Sequence, residues 1–221
     1  RRVVSPLSRT QPHFEARELH STQLGRLCPV ESPEGQNCGL VKNLALLATV
    51  SNGADEKQVY GLLVSRLGVT PIERTIGQRV AGARVYLNGR LIGYVENGRE
   101  LAGTIRKLRR EGRISHEINV AYYISEYNVG GVQGAIEEVY INCDAGRIRR
   151  PLIIVENGVP KLTHEHVELL KKGQWTWSDL IENGIVEYLD AEEEENALVA
   201  SDPSQLTPQH THMEICLLYT S

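Results

Sequence analysis

The sequence predicts an α+β fold in which small antiparallel sheets are mixed with short helices. Asn88-Gly89 separates two β-prone segments, and this pair is favoured in two-residue hairpin turns. Apolar residues recur at helical spacing from Leu101 to Leu108. Residues 118–127 are rich in β-branched and aromatic types, which favour strands.

Composition limits the size and the class of the protein. The chain has 221 residues, of which 41% are hydrophobic, so it can bury a core in one or two domains. Its net charge of −4 gives no overall basic character of the kind that marks a nucleic-acid binder. The sequence opens on Arg1 and its only methionine is Met213, which predicts a piece of a longer, multidomain polypeptide.

The cysteines are scattered, at Cys28, Cys38, Cys143 and Cys216. No Cys-x-x-Cys pair occurs, which argues against a zinc knuckle or a redox motif and fits a reducing compartment. The sequence shows neither a signal peptide nor an apolar run of membrane-spanning length. It therefore predicts a soluble protein that is cytoplasmic, or nuclear if the source is eukaryotic.

Residues 1–24 show little hydrophobic periodicity. Their arginines are Arg1, Arg2, Arg9 and Arg17. Prolines at Pro6 and Pro12 argue against a continuous helix, so we expect an extended, looping segment. Two interpretations stay open: a flexible surface arm, or a basic strand whose arginine forks bind a nucleic-acid backbone.

The most distinctive stretch runs from Arg26 to Leu46 and reads RLCPVESPEGQNCGLVKNLAL. Its SPEG portion at 32–35 predicts a turn, because proline presets one φ and glycine accepts a positive φ. Such polar loops lie at a surface or a site, although an ordinary strand-turn-helix connector has the same pattern. The apolar residues 40–50 fit either a buried helix or a strand.

The middle of the chain predicts a helix over 54–68 and a hairpin over 84–95. A second helix begins at an Asn97 N-cap, with Glu100 as its capping-box partner, and ends at Gly112. Its polar side is basic and carries Arg106, Lys107, Arg109 and Arg110. We interpret this side as a solvated face that complements the helix dipole, with contact to DNA phosphates as the alternative.

Strands are predicted at 118–127 and 138–142, with a loop at 129–134 between them. A further strand runs from Arg147 to Val155, and Pro151 within it predicts an edge position or a bulge.

The pattern then changes to short helices, predicted after Thr163 and over 177–183, and to a strand over 185–189. Four consecutive carboxylates, Glu192 to Glu195, predict a solvated turn because neighbouring residues do not converge on one cation. The pairs His164-x-His166 and His210-x-His212 have no evident third ligand, so no metal site is predicted.

Three motifs resemble one protein family. CPVESPEGQNCGLVKNLAL, DAGRIRRPLIIVENG and IVEYLDAEEEENALVA resemble the second-largest subunit (β, or archaeal B type) of multisubunit DNA-directed RNA polymerases, and the archaeal type most of all. The resemblance runs from Arg1 to about Cys216. It implies a fork region (domain 3), partial at its N-terminus, at 1–53, an external 1 region (domain 4) at 54–155, an external 2 region (domain 5) at 156–208 and the truncated start of a hybrid-binding region at 209–221.

The resemblance also implies which residues approach nucleic acid. Near the RNA 3′ end and the fork it places Arg1, Arg2, Arg9, Arg17, Glu34, Gln36 and Asn37. It implies that the turn is supported by Pro33, Gly35, Lys42 and Asn43. Because a carboxylate repels phosphate, we expect Glu34 to hold a neighbouring arginine or a backbone N–H in place, or simply to form the turn.

This family joins nucleotides by phosphoryl transfer with two metal ions. The resemblance implies that the largest subunit holds the Mg²⁺, and no Asp-x-Asp-x-Asp motif occurs in this sequence. We therefore expect the chain to be part of a nucleotidyltransferase while carrying no catalytic residue and binding no cofactor itself.

The expected partners are the largest subunit, other polymerase subunits, the DNA template, the RNA–DNA hybrid and transcription factors, with no membrane. Two other function classes stay open. One is a non-catalytic interaction module that docks factors or subunits, which exposed apolar patches on 84–190 would favour. The other is a hydrolase that uses Glu31 and Glu34 as an acid/base pair, although the sequence has a single Phe and no apolar sugar platform.

Overall fold

The computed structural model describes residues 1–77, 81–129 and 132–215. Its helices are α1 (Phe14–Arg17), α2 (Glu56–Arg66), α3 (Gly98–Arg110), α4 (His164–Lys171), α5 (Trp177–Glu182) and α6 (Ala191–Glu194). Its strands are β1 (Arg2–Val4), β2 (Val41–Asn43), β3 (Thr49–Val50), β4 (Thr70–Pro71), β5 (Ala83–Leu87), β6 (Arg90–Val95), β7 (Asn119–Val129), β8 (Val132–Asn142), β9 (Ile148–Glu156), β10 (Val159–Pro160), β11 (Val186–Leu189), β12 (Val199–Ala200) and β13 (His212–Met213). Short helices beside small sheets confirm the α+β prediction.

A five-stranded sheet with the order β4-β6-β5-β8-β7 builds the first core. Its β5–β6 hairpin confirms the predicted turn, since Asn88 and Gly89 have φ values of 48° and 78°, as a tight hairpin turn requires. Helix α3 packs on this sheet through an apolar side that includes Ile105. The helix begins as predicted at Asn97, whose side chain accepts a hydrogen bond from the Glu100 backbone N–H.

The β7–β8 hairpin extends further than the sequence predicts. The expected loop at 129–134 is wrong at Val129 and at 132–134, which are strand residues, while Gly130 and Gly131 lie outside the described residues. Gly134 pairs with Tyr127, and a Cβ at Gly134 would come within 2.3 Å of the Tyr127 Oη. This glycine therefore makes room for an aromatic ring within the hairpin instead of forming a turn.

Strand β9 is the centre of the second sheet and pairs with β3, β10, β11 and β13. The prediction that Pro151 makes it an edge strand is wrong. Pro151 lies opposite Tyr188 of β11, whereas the pairing with β3 ends at Arg149 and the pairing with β13 starts at Ile153. The missing N–H of Pro151 thus falls in the gap between two short neighbouring strands, where it costs no ladder bond.

The second core lies between this sheet and α5, and includes Ile153, Leu180 and Val186. The helices predicted after Thr163 and over 177–183 are present as α4 and α5, each with a capping box at its start. None of the helices in the described parts of the chain is long and apolar enough to cross a membrane.

Residues 1–50 add little to either core. Among their described side chains, Leu40 and Ala45 are the fully buried apolar ones. The apolar stretch 40–50 forms the short strands β2 and β3 and no helix. Strand β2 pairs with β1, and β3 joins the second sheet through Arg149 and Ile148 of β9.

We expect this difference in packing to appear in hydrogen exchange of the 221-residue chain. Amides of β5, β8 and β9 should exchange slowly, because they lie in the sheets that carry the two cores. Amides of residues 1–24 should exchange much faster, because no apolar side chain there is fully buried to offset an ordering entropy of roughly 1–2 kcal/mol per residue. Strong protection throughout 1–24 would contradict this expectation.

Candidate nucleic-acid interface

Arg17, at the end of α1, holds the polar loop that follows Pro33. Its Nη1 donates to the carbonyl oxygens of Gln36, at 2.7 Å, and Cys38, at 2.9 Å. Its other bonds go to three carbonyl oxygens of the preceding segment: Nε to Pro12 (2.7 Å), and Nη2 to Gln11 (3.2 Å) and Arg9 (3.4 Å). A guanidinium has five N–H donors, and all of those of Arg17 are occupied by backbone. The geometry therefore argues against the predicted phosphate contact of Arg17 and favours a positioning role.

Gly39 permits this arrangement. It has a φ of 71°, and a Cβ built on it would lie 2.3 Å from the Arg17 carbonyl oxygen. Its N–H donates to the Ser32 Oγ at 3.0 Å, which closes the loop on itself. The backbone of Gly39 can approach Arg17 this closely because glycine has no side chain.

A second group of contacts fixes the start of the loop. Arg2 lies opposite Asn43 in the β1–β2 ladder. Asn43 is buried, and its Nδ2 donates to the Glu31 carbonyl oxygen at 3.2 Å. Arg1 donates to the Glu31 carboxylate at 3.2 Å in an exposed ion pair. Asn43 thus has the geometry of its predicted supporting role.

The outward side of the loop is formed by Glu34, Gln36 and Asn37, all of them exposed. Glu34 precedes the one-turn 3₁₀ helix Gly35–Asn37, and its side chain makes no capping hydrogen bond. The expected role of Glu34 in holding an arginine or a backbone N–H therefore stays a prediction. The loop is held by an arginine that binds its carbonyl oxygens.

The remaining predicted residues lie around this loop. Gly35 has a φ of 74°, which suits its predicted turn, and Pro33 is half-buried. Lys42 is half-buried opposite Val3. Arg2 is exposed, and the half-buried Arg9 donates to the Leu7 carbonyl oxygen at 3.0 Å. Contact of these residues with nucleic acid stays a prediction.

The sequence interpretation missed a buried ion-pair network between the two sheets. Arg109 of α3 is buried and binds Glu187 of β11 and Glu193 of α6, each at 2.7 Å. Arg110 binds the same Glu187 at 2.6 Å, and Arg106 binds Glu193 at 3.3 Å. The predicted solvated basic face of α3 is therefore wrong at these three arginines.

A second cluster of ion pairs reaches the N-terminal segment. Arg26, also buried, binds the Glu194 carboxylate and donates to the Leu189 carbonyl oxygen at 3.2 Å. Arg150 of β9 binds both Glu194 and Glu214. The predicted solvated turn at Glu192 to Glu195 is consequently wrong at Glu193 and Glu194, because α6 points these carboxylates into the protein, whereas Glu195 is exposed. Complementary charge runs were visible in the sequence, but their pairing depends on how α3 meets α6.

Glu187 and Arg109 are both ionised at neutral pH. Burial disfavours the charged form of Glu187, but Arg109, a hydrogen bond from His212 and Arg110 more than offset that cost, so its pKa lies well below the ordinary value of 4.5. Burial likewise disfavours the charged form of Arg109, yet Glu187 and Glu193 together raise its pKa above the ordinary value.

Three histidines form capping or buried hydrogen bonds. Nδ1 of His166 lies 3.1 Å from the Thr163 N–H at the start of α4, and Nδ1 of His210 lies 3.0 Å from the Thr207 N–H. His212 is buried against Glu187 at 2.7 Å. No group of three His, Cys, Asp or Glu side chains within the described residues is placed to hold a metal ion.

Family comparison matches three parts of the chain. RNA polymerase Rpb2 domain 3 matches residues 1–50, domain 4 matches residues 85–156 and domain 5 matches residues 177–215.

Individual relatives are similar over nearly the whole chain. The DNA-directed RNA polymerase subunit Rpo2 of Sulfolobus acidocaldarius is 53% identical, and that of Saccharolobus solfataricus is 52% identical, both over 97% of this chain. The DNA-directed RNA polymerase II subunit RPB2 of Meyerozyma guilliermondii is 35% identical over 93% of it. The chain spans only 19% of the length of the first two relatives and 18% of the third.

We expect Gly39→Ala to loosen the loop more than Gly35→Ala. Both glycines have a positive φ, so both variants carry the backbone cost of about 1–2 kcal/mol. Only the Cβ at position 39 also meets Arg17, whereas the Cβ at position 35 meets nothing within 4 Å. Hydrogen exchange of the Cys38 and Leu40 amides, which are bonded inside the loop, measures the local opening free energy. Equal loosening by the two variants would show that the Arg17 contact does not constrain the loop.

We expect Glu187→Gln to lower the free energy of unfolding by about 3–5 kcal/mol near neutral pH, because it leaves buried arginines without a counter-charge. The deficit should shrink in acid. Since the folded pKa of Glu187 lies below its ordinary value of 4.5, the parent loses stability as the pH falls below 4.5 toward the folded pKa. Glutamine does not titrate, so the variant lacks this loss. Urea unfolding at several pH values measures both effects.

The matched control for this experiment is Glu182→Gln, because Glu182 is exposed on the neighbouring α5. It should leave stability and its pH dependence nearly unchanged. Parallel stability curves for the parent and Glu187→Gln, at every pH, would contradict the assignment of Glu187 to the acid-sensitive network.

Proposed function

This chain belongs to the family of second-largest subunits of DNA-directed RNA polymerases, and we propose that it acts in transcription as a non-catalytic part of that enzyme. Within the enzyme it presents the loop 30–38 at the fork, beside the RNA 3′ end. The chemistry of nucleotide addition takes place on other parts of the polymerase, where Mg²⁺ is held by the largest subunit.

One observation carries this proposal: all five N–H donors of Arg17 hold backbone carbonyl oxygens around an exposed polar loop. A loop that merely connects two elements does not need hydrogen bonds that fix its backbone in this way. A loop that must present Glu34, Gln36 and Asn37 at fixed positions does, because misplacement of a group near reacting atoms by about 1 Å costs on the order of a hundredfold in rate.

The division of roles among the arginines follows from the same contacts. Arg17 acts as a positioning residue whose guanidinium has no free N–H for a phosphate. Arg1 and Arg2 are exposed beside the loop and can reach a nucleic-acid backbone. The hydrolase alternative gains no support, since Glu31 is engaged by Arg1 and both Glu31 and Glu34 are exposed.

A second role is supported by the exposed apolar side chains of residues 1–50. Phe14, Leu19 and Val30 are 79%, 65% and 86% exposed. Leu19, Leu24 and Leu27 line a mainly apolar cavity of about 420 Å³ on this segment. Because large exposed apolar surfaces mark interaction sites, we propose that this segment packs against other parts of the polymerase. The proposed docking surface is on 1–50, although Ile124, Tyr127, Val159 and Trp177 are also exposed on 84–190, where the sequence interpretation expected the surface of a docking module.

We expect Glu34→Ala in the intact polymerase to change elongation rate and pausing by roughly tenfold or more, with little change in affinity for the DNA duplex. The carboxylate cannot bind phosphate, so its removal should not weaken binding, but it alters what the loop presents near the RNA end. Single-round elongation on one template, together with duplex binding at several salt concentrations, measures both quantities. Glu15→Ala is the matched control, because Glu15 is an exposed glutamate on α1.

Elongation by Glu34→Ala at the parent rate would refute the role of the loop.

Reconstitution of the polymerase from its subunits tests the docking surface on 1–50, because Leu19→Ser should reduce assembly with the largest subunit while leaving the loop intact. Unchanged assembly of Leu19→Ser would remove that second role and leave the first one standing.

A further inference from the structure

A polar cavity borders the ion-pair network and is lined by residues outside the loop 30–38. Its volume is about 270 Å³. It is bounded by the last turns of α3, by the β9–β10 turn at Asn157, by residues 196–197 after α6 and by the segment 208–212. Its charged and titratable lining residues are Arg106, Arg110, Glu193, His210 and His212.

The charges around this cavity do not balance. Arg106, Arg109 and Arg110 carry three positive charges, whereas the carboxylates that bind them, Glu187 and Glu193, carry two negative ones. His212 also lies on Glu187 and contributes no negative charge. The network therefore keeps at least one unit of positive charge at the cavity wall.

The two carboxylates cannot neutralise this extra positive charge, because the oxygens of each already accept hydrogen bonds from groups of the chain. Glu193 accepts from Arg106 and Arg109 at Oε1, and from Arg109 and Asn119 at Oε2. Glu187 accepts from His212 and Arg110 at Oε1, and from Arg109 at Oε2. Both carboxylates are buried.

The two arginines that line the cavity keep unused donors. Arg106 uses Nε and Nη2, and Arg110 likewise uses Nε and Nη2, so the described residues offer no acceptor to Nη1 of either side chain. The two arginines are four residues apart on α3, so they project on the same side of the helix. His210 engages Thr207 through Nδ1, which leaves its Nε2 for the cavity that it lines.

We propose that this cavity binds a small oxyanion of phosphate size. Paired guanidinium groups with free N–H donors are the preferred partners of such anions. Neutral hydrogen-bonding groups of Asn157, Asn196 and Gln209 complete the wall. A volume of about 270 Å³ accommodates a phosphate together with several waters, each of which takes roughly 30 Å³. This site is separate from the loop proposed to act at the fork and does not depend on that role.

The test is titration of the 221-residue chain with inorganic phosphate, sulfate, acetate and chloride at constant ionic strength, followed by calorimetry and by the amide NMR signals of Asn157, Ala197 and His210. We expect phosphate and sulfate to bind at one site and to shift these signals. Phosphate should also raise the melting temperature, by an amount that grows with the logarithm of its concentration once it exceeds the dissociation constant. Arg106→Gln should weaken phosphate binding by about tenfold or more, because a charged hydrogen-bonding group is lost.

Two variants make the result decisive. Arg99→Gln removes an exposed positive charge from the same helix but outside the cavity, so it should bind phosphate like the parent. Ala197→Glu places a negative charge at the cavity wall and leaves both arginines unsubstituted. It should abolish phosphate binding while the circular dichroism spectrum stays that of the parent. This variant decides the matter if Arg106→Gln fails to fold.

Three results would overturn the proposal. The first is a parent chain that binds phosphate no better than chloride. The second is an Ala197→Glu variant that folds and binds phosphate as tightly as the parent. The third is acetate binding that is tighter than phosphate binding, which would assign the cavity to a carboxylate group.

Discussion

The arrangement of the two sheets depends on charges that are buried between them. Arg109 comes from the helix that covers the first sheet, Glu187 comes from β11 of the second sheet and Glu193 comes from α6, with all three side chains buried. A buried charge without its partner costs several kcal/mol, so Arg109 and its two carboxylate partners must be buried together. Arg26 ties the N-terminal segment to α6 through Glu194, in a second cluster of ion pairs. Because hydrogen bonds are directional and apolar contacts are not, we interpret these pairs as the feature that sets the angle and register between the parts of the chain.

Arginine has the same physical role in the exposed loop, although its partners there are carbonyl oxygens. Its planar guanidinium donates five N–H groups in a rigid fork, which lets Arg17 bind residues 9–12 and residues 36–38 at once. The loop needs this brace because it has little apolar surface to bury. Arg17 and the arginines of α3 thus mainly bind groups of the chain itself, in agreement with its net charge of −4. The proposed contacts with nucleic acid are made by the exposed residues of the loop that Arg17 holds in place.

Local structure and family could be read from the sequence alone. The Asn88-Gly89 turn, the Asn97 cap and the helices after Thr163 and near Trp177 were predictable, because caps and tight turns depend on a few neighbouring residues. The motif CPVESPEGQNCGLVKNLAL was sufficient to identify the family, which the similarity to archaeal Rpo2 confirms. The cluster of loop residues 34–37 was also placed correctly on an exposed turn.

Tertiary structure decided what the charged residues do and where β9 lies. Arg109 and Glu193 look like surface residues in the sequence, since a charge run has no period that reveals a distant partner 84 residues away. Pro151 looked like an edge marker, but its missing N–H falls between two short strands that come from opposite ends of the chain. Arg17 looked like a phosphate ligand until its five carbonyl partners were in place. In each case the deciding contact joins segments that are remote in sequence, so the local pattern contains no information about it, and only the folded chain brings the partners within hydrogen-bonding distance.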